Sequence, residues 1–286
     1  MATSNSIPNK TLLSIFIAFF LLLLISKVHS LNDLTFNFDN FEPNEPNLLF
    51  QRAASVSSTG VLELTNVSQP PIRTIGRALY GGPLQIWESS TGNVASFVTF
   101  FSFVVKANNA NKAADGLTFF LAPANSQIPP RATAGLFGIF NSSDYNAANQ
   151  IVAVEFDTFY DSLYHPWDPD YKHIGVDVNS IQSIKTVKWD WRDGEVANVV
   201  ITYQAPTKSL TVSLSYPSDE TSNIITATVD LKAILPEWVS VGFSAGVGDP
   251  GAFETHDILS WYFTTNLNGF SHAAIENDVS VAQSEA

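Results

Sequence analysis

The sequence predicts an all-β protein built as a sandwich or barrel. Three observations carry that prediction. From Leu31 onward, short runs rich in Val, Ile, Phe and Thr are broken by Asn, Asp, Gly, Ser and Pro. Many runs alternate apolar and polar residues, as in Thr211-Val-Ser-Leu-Ser-Tyr216, which is the period of a strand with one dry face. No long stretch has the period of a helix. A succession of strands without helices implies stacked sheets or a closed one.

Taken in order, the expected strands are Leu34–Phe38, Ser96–Lys106, Gly116–Leu121, Ile151–Phe159, Ile174–Val178, Ser183–Trp189, Val196–Tyr203, Ser209–Ser215, Ile224–Val229, Trp238–Ser244 and Ile258–Thr264. The single helical candidate is Asp230–Leu235, stopped by Pro236. No linker or internal repeat divides the chain. Residues 31–268 are therefore expected to form one domain, of a length that all-β sandwiches commonly reach.

The two ends have a different character. Lys10 precedes an apolar run, Leu12–Ile25, followed by Val28-His29-Ser30. This is the pattern of a secretory signal, residues 1–30, with cleavage expected after Ser30. The run is short of the ~20 residues that span a bilayer. Residues 269–286 turn polar and small, consistent with a flexible or removed tail. Two acceptor sequons, Asn66-Val-Ser68 and Asn141-Ser-Ser143, are candidate glycan sites in a secreted chain.

The chain has no Cys, so a secreted form has only its core, and any bound metal, to stabilise it. The formal net charge of −13 and the lack of any basic run argue against nucleic acid or an anionic membrane as partner.

The most informative stretch is Ile151–Asp177, IVAVEFDTFYDSLYHPWDPDYKHIGVD. Glu155 and Asp157 are two apart on an expected strand, so their carboxylates share a face. Such a pair repels unless a proton or a cation lies between its members. Asp168 and His173 follow across a loop. Carboxylates suit a hard cation such as Ca²⁺, and a set that adds an imidazole suits an ion such as Mn²⁺.

The same residues carry a resemblance. V-A-V-E-F-D-T, then W-D-P, then H-I-G-V-D-V-N-S resembles the metal-binding signature of the legume lectins. The runs Ala114–Pro123 (ADGLTFFLAP) and Glu254–Trp261 (ETHDILSW) resemble two further landmarks of that family, in the family's order. The resemblance implies a jelly-roll sandwich with a flat back sheet and a curved front sheet, often paired into dimers or tetramers. It implies Mn²⁺ ligation by Glu155, Asp157, Asp168 and His173. Ca²⁺ would take Asp157, Asp168 and the carbonyl of Phe159. The metals would brace a loop rather than perform chemistry.

For sugar binding, the resemblance assigns hydrogen-bond acceptance to Asp115, held by a cis peptide after Ala114. It assigns a backbone donor to Gly135 and a stacking ring to Phe159. The specificity loop falls at Ala245–Phe253 (AGVGDPGAF), which includes Asp249, and its length is closer to galactose/N-acetylgalactosamine binders. Similar proteins occur in storage vacuoles as well as outside the cell, with roles in defence or storage.

One departure stands out. The family's metal loop carries an Asn that binds Ca²⁺ and donates to the sugar, yet no Asn lies between Asp157 and Asp168. Counting forward, its place falls on Asp161. Counting back from Pro166-Trp167-Asp168, it falls on His165. An ionised Asp has no proton to donate, and an imidazole is a poor ligand for a hard ion.

Two functions from the same fold follow: a weak galactose-type lectin acting on glycans or glycoproteins, or a lectin-related storage protein that no longer binds sugar. An enzyme reading is disfavoured. Glu155 and Asp157 resemble a retaining glycosidase pair, but Thr158-Phe159 stand where a third acidic residue is needed. There is no G-x-S-x-G elbow either.

Overall fold

A computed structural model describes residues 34–65, 74–160, 163, 165–219, 221–248 and 254–267. The expected signal at 1–30, the tail at 269–286, Asn66, Asp161 and Asp249 lie outside the described residues.

The strands form two antiparallel sheets of eight. The back sheet runs β14 (Ser222–Thr228), β13 (Ser209–Ser215), β12 (Val196–Gln204), β7 (Ser96–Ala107), β16 (Glu254–Asn266), β4 (Leu62–Glu63), β3 (Ser55–Val56), with β1 (Leu34–Phe38) also on β16. The front sheet runs β11 (Lys185–Lys188), β10 (His173–Val178), β9 (Val152–Asp157), β8 (Gly116–Pro123), β15 (Trp238–Val247), β5 (Thr74–Tyr80), β2 (Leu48–Arg52), with β6 (Leu84–Gln85) also on β15. This is the expected jelly-roll sandwich.

Alternation decides which face each strand buries. In β12 and β13 every second residue is buried, and the intervening Asn, Thr and Ser stay half-exposed. The buried rows meet those of the front sheet in an aromatic core. Phe101 lies 4.9 Å from Phe243, and Phe243 lies 4.8 Å from Trp261, both edge to face. That geometry is favoured because the ring edge is positive and the face negative.

The front sheet differs. β8, β9 and β15 are buried on both faces. A second, smaller apolar cluster covers the outer face, joining Phe120 and Ala153 of the sheet to Phe137, Ile139 and Phe140 of the segment that overlies it. Arg77 of β5 ties this cover down. It is 1% exposed, donates to the carbonyl of Gly138 at 2.5 Å, and stacks on Phe120. Burial without a carboxylate lowers its pKa to about 10.

The structure corrects several strand expectations. The strands from Leu48 to Gln85 have no counterpart in the sequence reading, because three of them are only two residues long and hold no period. The strand expected over Ile151–Phe159 spans only Val152–Asp157. β15 continues through Val247, so Ala245–Val247 of the expected specificity loop is strand. The helical candidate shortens to one turn, α1 (Leu231–Ile234), capped by Asp230, whose side chain accepts from Ala233 N.

Replacing Phe101 by Ala should destabilise the protein by ~3–5 kcal/mol, because the ring fills the space between the sheets against Phe119, Phe156 and Phe243. Ile224→Ser, at a 60% exposed position, should change little. Urea unfolding of both variants measures the contrast.

Candidate functional site

Val154 and Phe156 of β9 point into the inter-sheet core, which sends Glu155 and Asp157 to the outer face. Ile174 and Val176 do the same for β10, which sends His173, Gly175 and Asp177 outward. The register places His173 opposite Asp157, and Gly175 opposite Glu155. A Cβ on Gly175 would stand 2.3 Å from Glu155 Oε1 and 2.0 Å from Ser183 Oγ, so the missing side chain makes room for the carboxylate.

Ligand atoms of Glu155, Asp157 and His173 lie within 4.8 Å of one another, and so do those of Asp157, His165 and Asp168. The two groups share Asp157. His173 Nε2 is 2.9 Å from Glu155 Oε1. Phe159 N donates to Asp157 Oδ1 at 2.6 Å. His165 Nδ1 is 3.1 Å from Asp168 Oδ2, within ion-pair distance.

The electrostatics call for a cation. Burial raises the Asp157 pKa well above the carboxylate range, and the charges of Glu155, Asp168 and Asp115 raise it further. Burial alone would lower the pKa of His173, but the hydrogen bond and charge of Glu155 together with the charge of Asp168 outweigh it, and the pKa ends above the ordinary value. The same holds for His165, where Asp168, with the charges of Asp115 and Glu155, outweighs burial. Glu155 Oε2 is buried with no hydrogen-bond partner. Buried carboxylates with unused lone pairs, one imidazole within reach and glycine clearance are a donor set that can hold a metal ion.

Ser183, which the sequence reading overlooked, supports this set. Its Oγ lies 2.7 Å from Glu155 Oε1 and 2.6 Å from Asp177 Oδ1. A hydroxyl has one proton, so one of these carboxyls must supply the other. Burial, and then the charge of Glu155, pushes the Asp177 pKa well above its usual range, which favours Asp177 as that carboxyl.

Beside this cluster, four chain segments converge. Asp115 follows a cis peptide from Ala114, as expected, and is 4% exposed. Its N donates to Gly246 O of β15 at 3.2 Å. Gly248 lies close by, since a Cβ there would be 3.0 Å from Asp115 Oδ2 and 2.3 Å from Ala134 Cβ. Gly135, in the short 3-10 turn Ala134–Leu136, faces the His165 ring, which a Cβ would meet at 2.2 Å. The half-buried Phe159 ring stands edge-on to His165 at 5.3 Å, and Trp167 stacks on the same imidazole at 5.2 Å. His165 thus fills the centre of the loop. Of the expected site residues, Asp115, Gly135, Glu155, Asp157, Phe159, His165, Asp168 and His173 gather at one end of the front sheet.

Comparison with known proteins agrees with this arrangement. Residues 33–279 match the legume lectin domain. An anti-H(O) lectin 1 of Cytisophyllum sessilifolium is 73% identical over 239 residues, covering 83% of this chain and 98% of the relative. A bark leucoagglutinin of Maackia amurensis is 57% identical over 284 residues, covering 99% of each. Among solved structures, lectin UEA-II complexed with galactose is 71% identical with a TM-score of 0.81, covering 82% of this chain and all of that one. The chain belongs to the legume lectin family: it is a carbohydrate-binding lectin and not an enzyme.

The raised Asp157 pKa has a pH consequence. In the metal-free fold the protonated form is favoured, so that contribution to stability is complete below the unfolded carboxylate pKa of ~4 and is lost as pH rises through the raised value. A metal ion bound to the cluster would replace that proton. The melting-temperature gap between metal-loaded and chelator-treated protein should therefore be wider at about pH 7.5 than at about pH 5. Scanning calorimetry at the two pH values measures it, and an equal gap would contradict this assignment.

Proposed function

We propose that this lectin is metal-dependent and binds galactose or N-acetylgalactosamine weakly. The observation that carries the reading is the convergence of Asp115, Gly135, Phe159 and the Gly246–Gly248 strand end on the loop that holds the carboxylate–imidazole cluster. In this reading Glu155, Asp157, Asp168 and His173 hold Mn²⁺, while Asp157, Asp168 and the Phe159 carbonyl hold Ca²⁺. The ions supply positive charge that neutralises the carboxylates and fixes the loop. Asp115 then accepts from two neighbouring hydroxyls, a charge-assisted and geometrically selective contact. Gly135 donates its N–H, and Phe159 lies under the apolar sugar face. The galactose choice is supported by the galactose complex of the 71% identical UEA-II.

His165 favours a second reading, that of a storage-type lectin with an impaired site. Its ring occupies the space against Gly135 and beside Asp168. An imidazole there does not reproduce an Asn that feeds oxygen to calcium and a proton to sugar. The proposed partners are glycans or glycoproteins, and pairing of subunits would raise weak single-site affinity through avidity. Among the described residues no helix is long and apolar enough to cross a membrane. The leader at 1–30 supports entry into the secretory pathway, toward the extracellular space or a storage vacuole. Asn141 is exposed, as a glycan acceptor must be.

A glycan array followed by calorimetry on residues 31–268, loaded with both ions, tests the reading. Binding to galactosides should vanish on chelation and in Asp115→Ala. Asp157→Ala should lose the ions, melt lower and bind no sugar, whereas melting that ignores chelator in the wild type would sink the metal brace. His165→Asn should strengthen galactoside binding by roughly ten-fold, the worth of one recovered hydrogen bond. Silence across the array from folded, metal-loaded protein would establish the storage-type reading.

A further inference from the structure

Thr158 has no assigned role, yet three contacts meet on it. It lies between Asp157 and Phe159 and is 1% exposed. Its N–H donates to the carbonyl of Asp115 at 3.1 Å. Its hydroxyl donates to Glu254 Oε1 at 2.6 Å. Its carbonyl accepts from Lys172 Nζ, and that ammonium sits over the Trp191 ring at 4.7 Å. One residue thus touches the strand end that bears Asp115, the residue next to His173, and the first residue of β16.

Glu254 belongs to the back sheet, whereas Asp157 belongs to the front sheet and Asp115 immediately precedes its strand β8. It is fully buried, and so is His256, whose Nε2 lies 2.9 Å from the same Oε1. His256 Nδ1 is 2.9 Å from Thr65 Oγ1. A buried carboxylate is costly unless donors surround it, and Glu254 Oε2 has none. The Thr158 hydroxyl is therefore one of the groups that make this burial tolerable, and the Thr158–Glu254 bond fixes the front-sheet loop against the back sheet.

We propose that Thr158 and Glu254 are positioning residues for the sugar site: the Thr158 peptide carries the state of the ion-binding loop to Asp115, and Glu254 sets where that peptide stands. The inference rests on the reading of Asp115 as the sugar acceptor. Asp157 and Phe159, both assigned to the ions, flank Thr158 covalently, so any movement of the loop between its loaded and empty states displaces the same peptide whose N–H holds Asp115. With the hydroxyl fixed to Glu254, that displacement is confined to one geometry. Without it, the Thr158 peptide keeps its bond to Asp115 but is no longer held to one position, so Asp115 follows the ion-binding loop less closely while the ions keep their ligands.

Thr158→Val keeps the shape and removes the hydroxyl, and Thr158→Ser keeps the hydroxyl. Amide hydrogen exchange of the segment 114–118 is followed in the full mature chain with and without Ca²⁺ and Mn²⁺, together with galactoside and Ca²⁺ affinities. In the wild type and Thr158→Ser, the ions should slow exchange of that segment by about ten-fold, and in Thr158→Val by under about two-fold. At saturating metal, Thr158→Val should bind galactoside about ten-fold more weakly, with Ca²⁺ affinity changed by less than about three-fold. Glu254→Gln keeps an acceptor but removes the charge that strengthens the bond, so it should give an intermediate loss. Equal metal protection in Thr158→Val and wild type overturns the inference, as does Thr158→Ser behaving like Thr158→Val. Should Thr158→Val not fold, an unchanged Glu254→Gln overturns it instead. A wild type that binds no galactoside but shows the exchange pattern refutes the sugar reading and leaves the coupling standing.

Discussion

The structure turns on the enforced closeness of buried carboxylates at one end of the front sheet. Strand geometry puts Glu155 and Asp157 on one face, and the chain returns Asp168 and His173 to the same place. The Lys172 ammonium beside the cluster is spent on the Thr158 carbonyl, and its pKa is lowered by burial. Like charges this close and this dry are tolerated only with protons or a metal between them. The glycine opposite Glu155 and the Ser183 hydroxyl between Glu155 and Asp177 are accommodations to that one constraint.

The same constraint explains why a binding site made of loops can be well defined. Loops alone are poor at holding polar groups in place. Here each loop is fixed to something rigid: Asp115 to β15, the Gly135 turn through the Gly138 carbonyl to Arg77 of β5, Thr158 to a carboxylate in the opposite sheet. The site borrows its order from the sandwich, and the proposed cation would relieve the charge of the loop at Asp157.

Much of this was legible in the sequence because the signals are local. The cluster Glu155, Asp157, Asp168, His173 sits within one short stretch whose period and residue types point to one chemistry, and Asp115 lies in a recognisable run. Strands with clean alternation, such as β12 and β13, could be read almost to the residue. What escaped is non-local. Ser183 looks like any turn serine until the fold brings it between Glu155 and Asp177. Thr158 and Glu254 are 96 residues apart, and nothing near either one signals the other. The two-residue strands hold no period to detect. The start of the expected specificity loop proved to be strand because Ala245, Gly246 and Val247 continue pairing with β5.

The pairing of β1 with β16 has a consequence for how the protein is made. Thr35 and Thr264, hydrogen-bonded across that pair, are 229 residues apart in the chain. At a synthesis rate of ~5–20 residues per second, the first strand waits on the order of 10–45 s for its neighbour to be translated. Until then an edge of the back sheet has its backbone groups unpaired beside apolar side chains, which is when a β-rich chain is most open to wrong pairing. The back sheet therefore cannot be completed until almost the whole domain has been made.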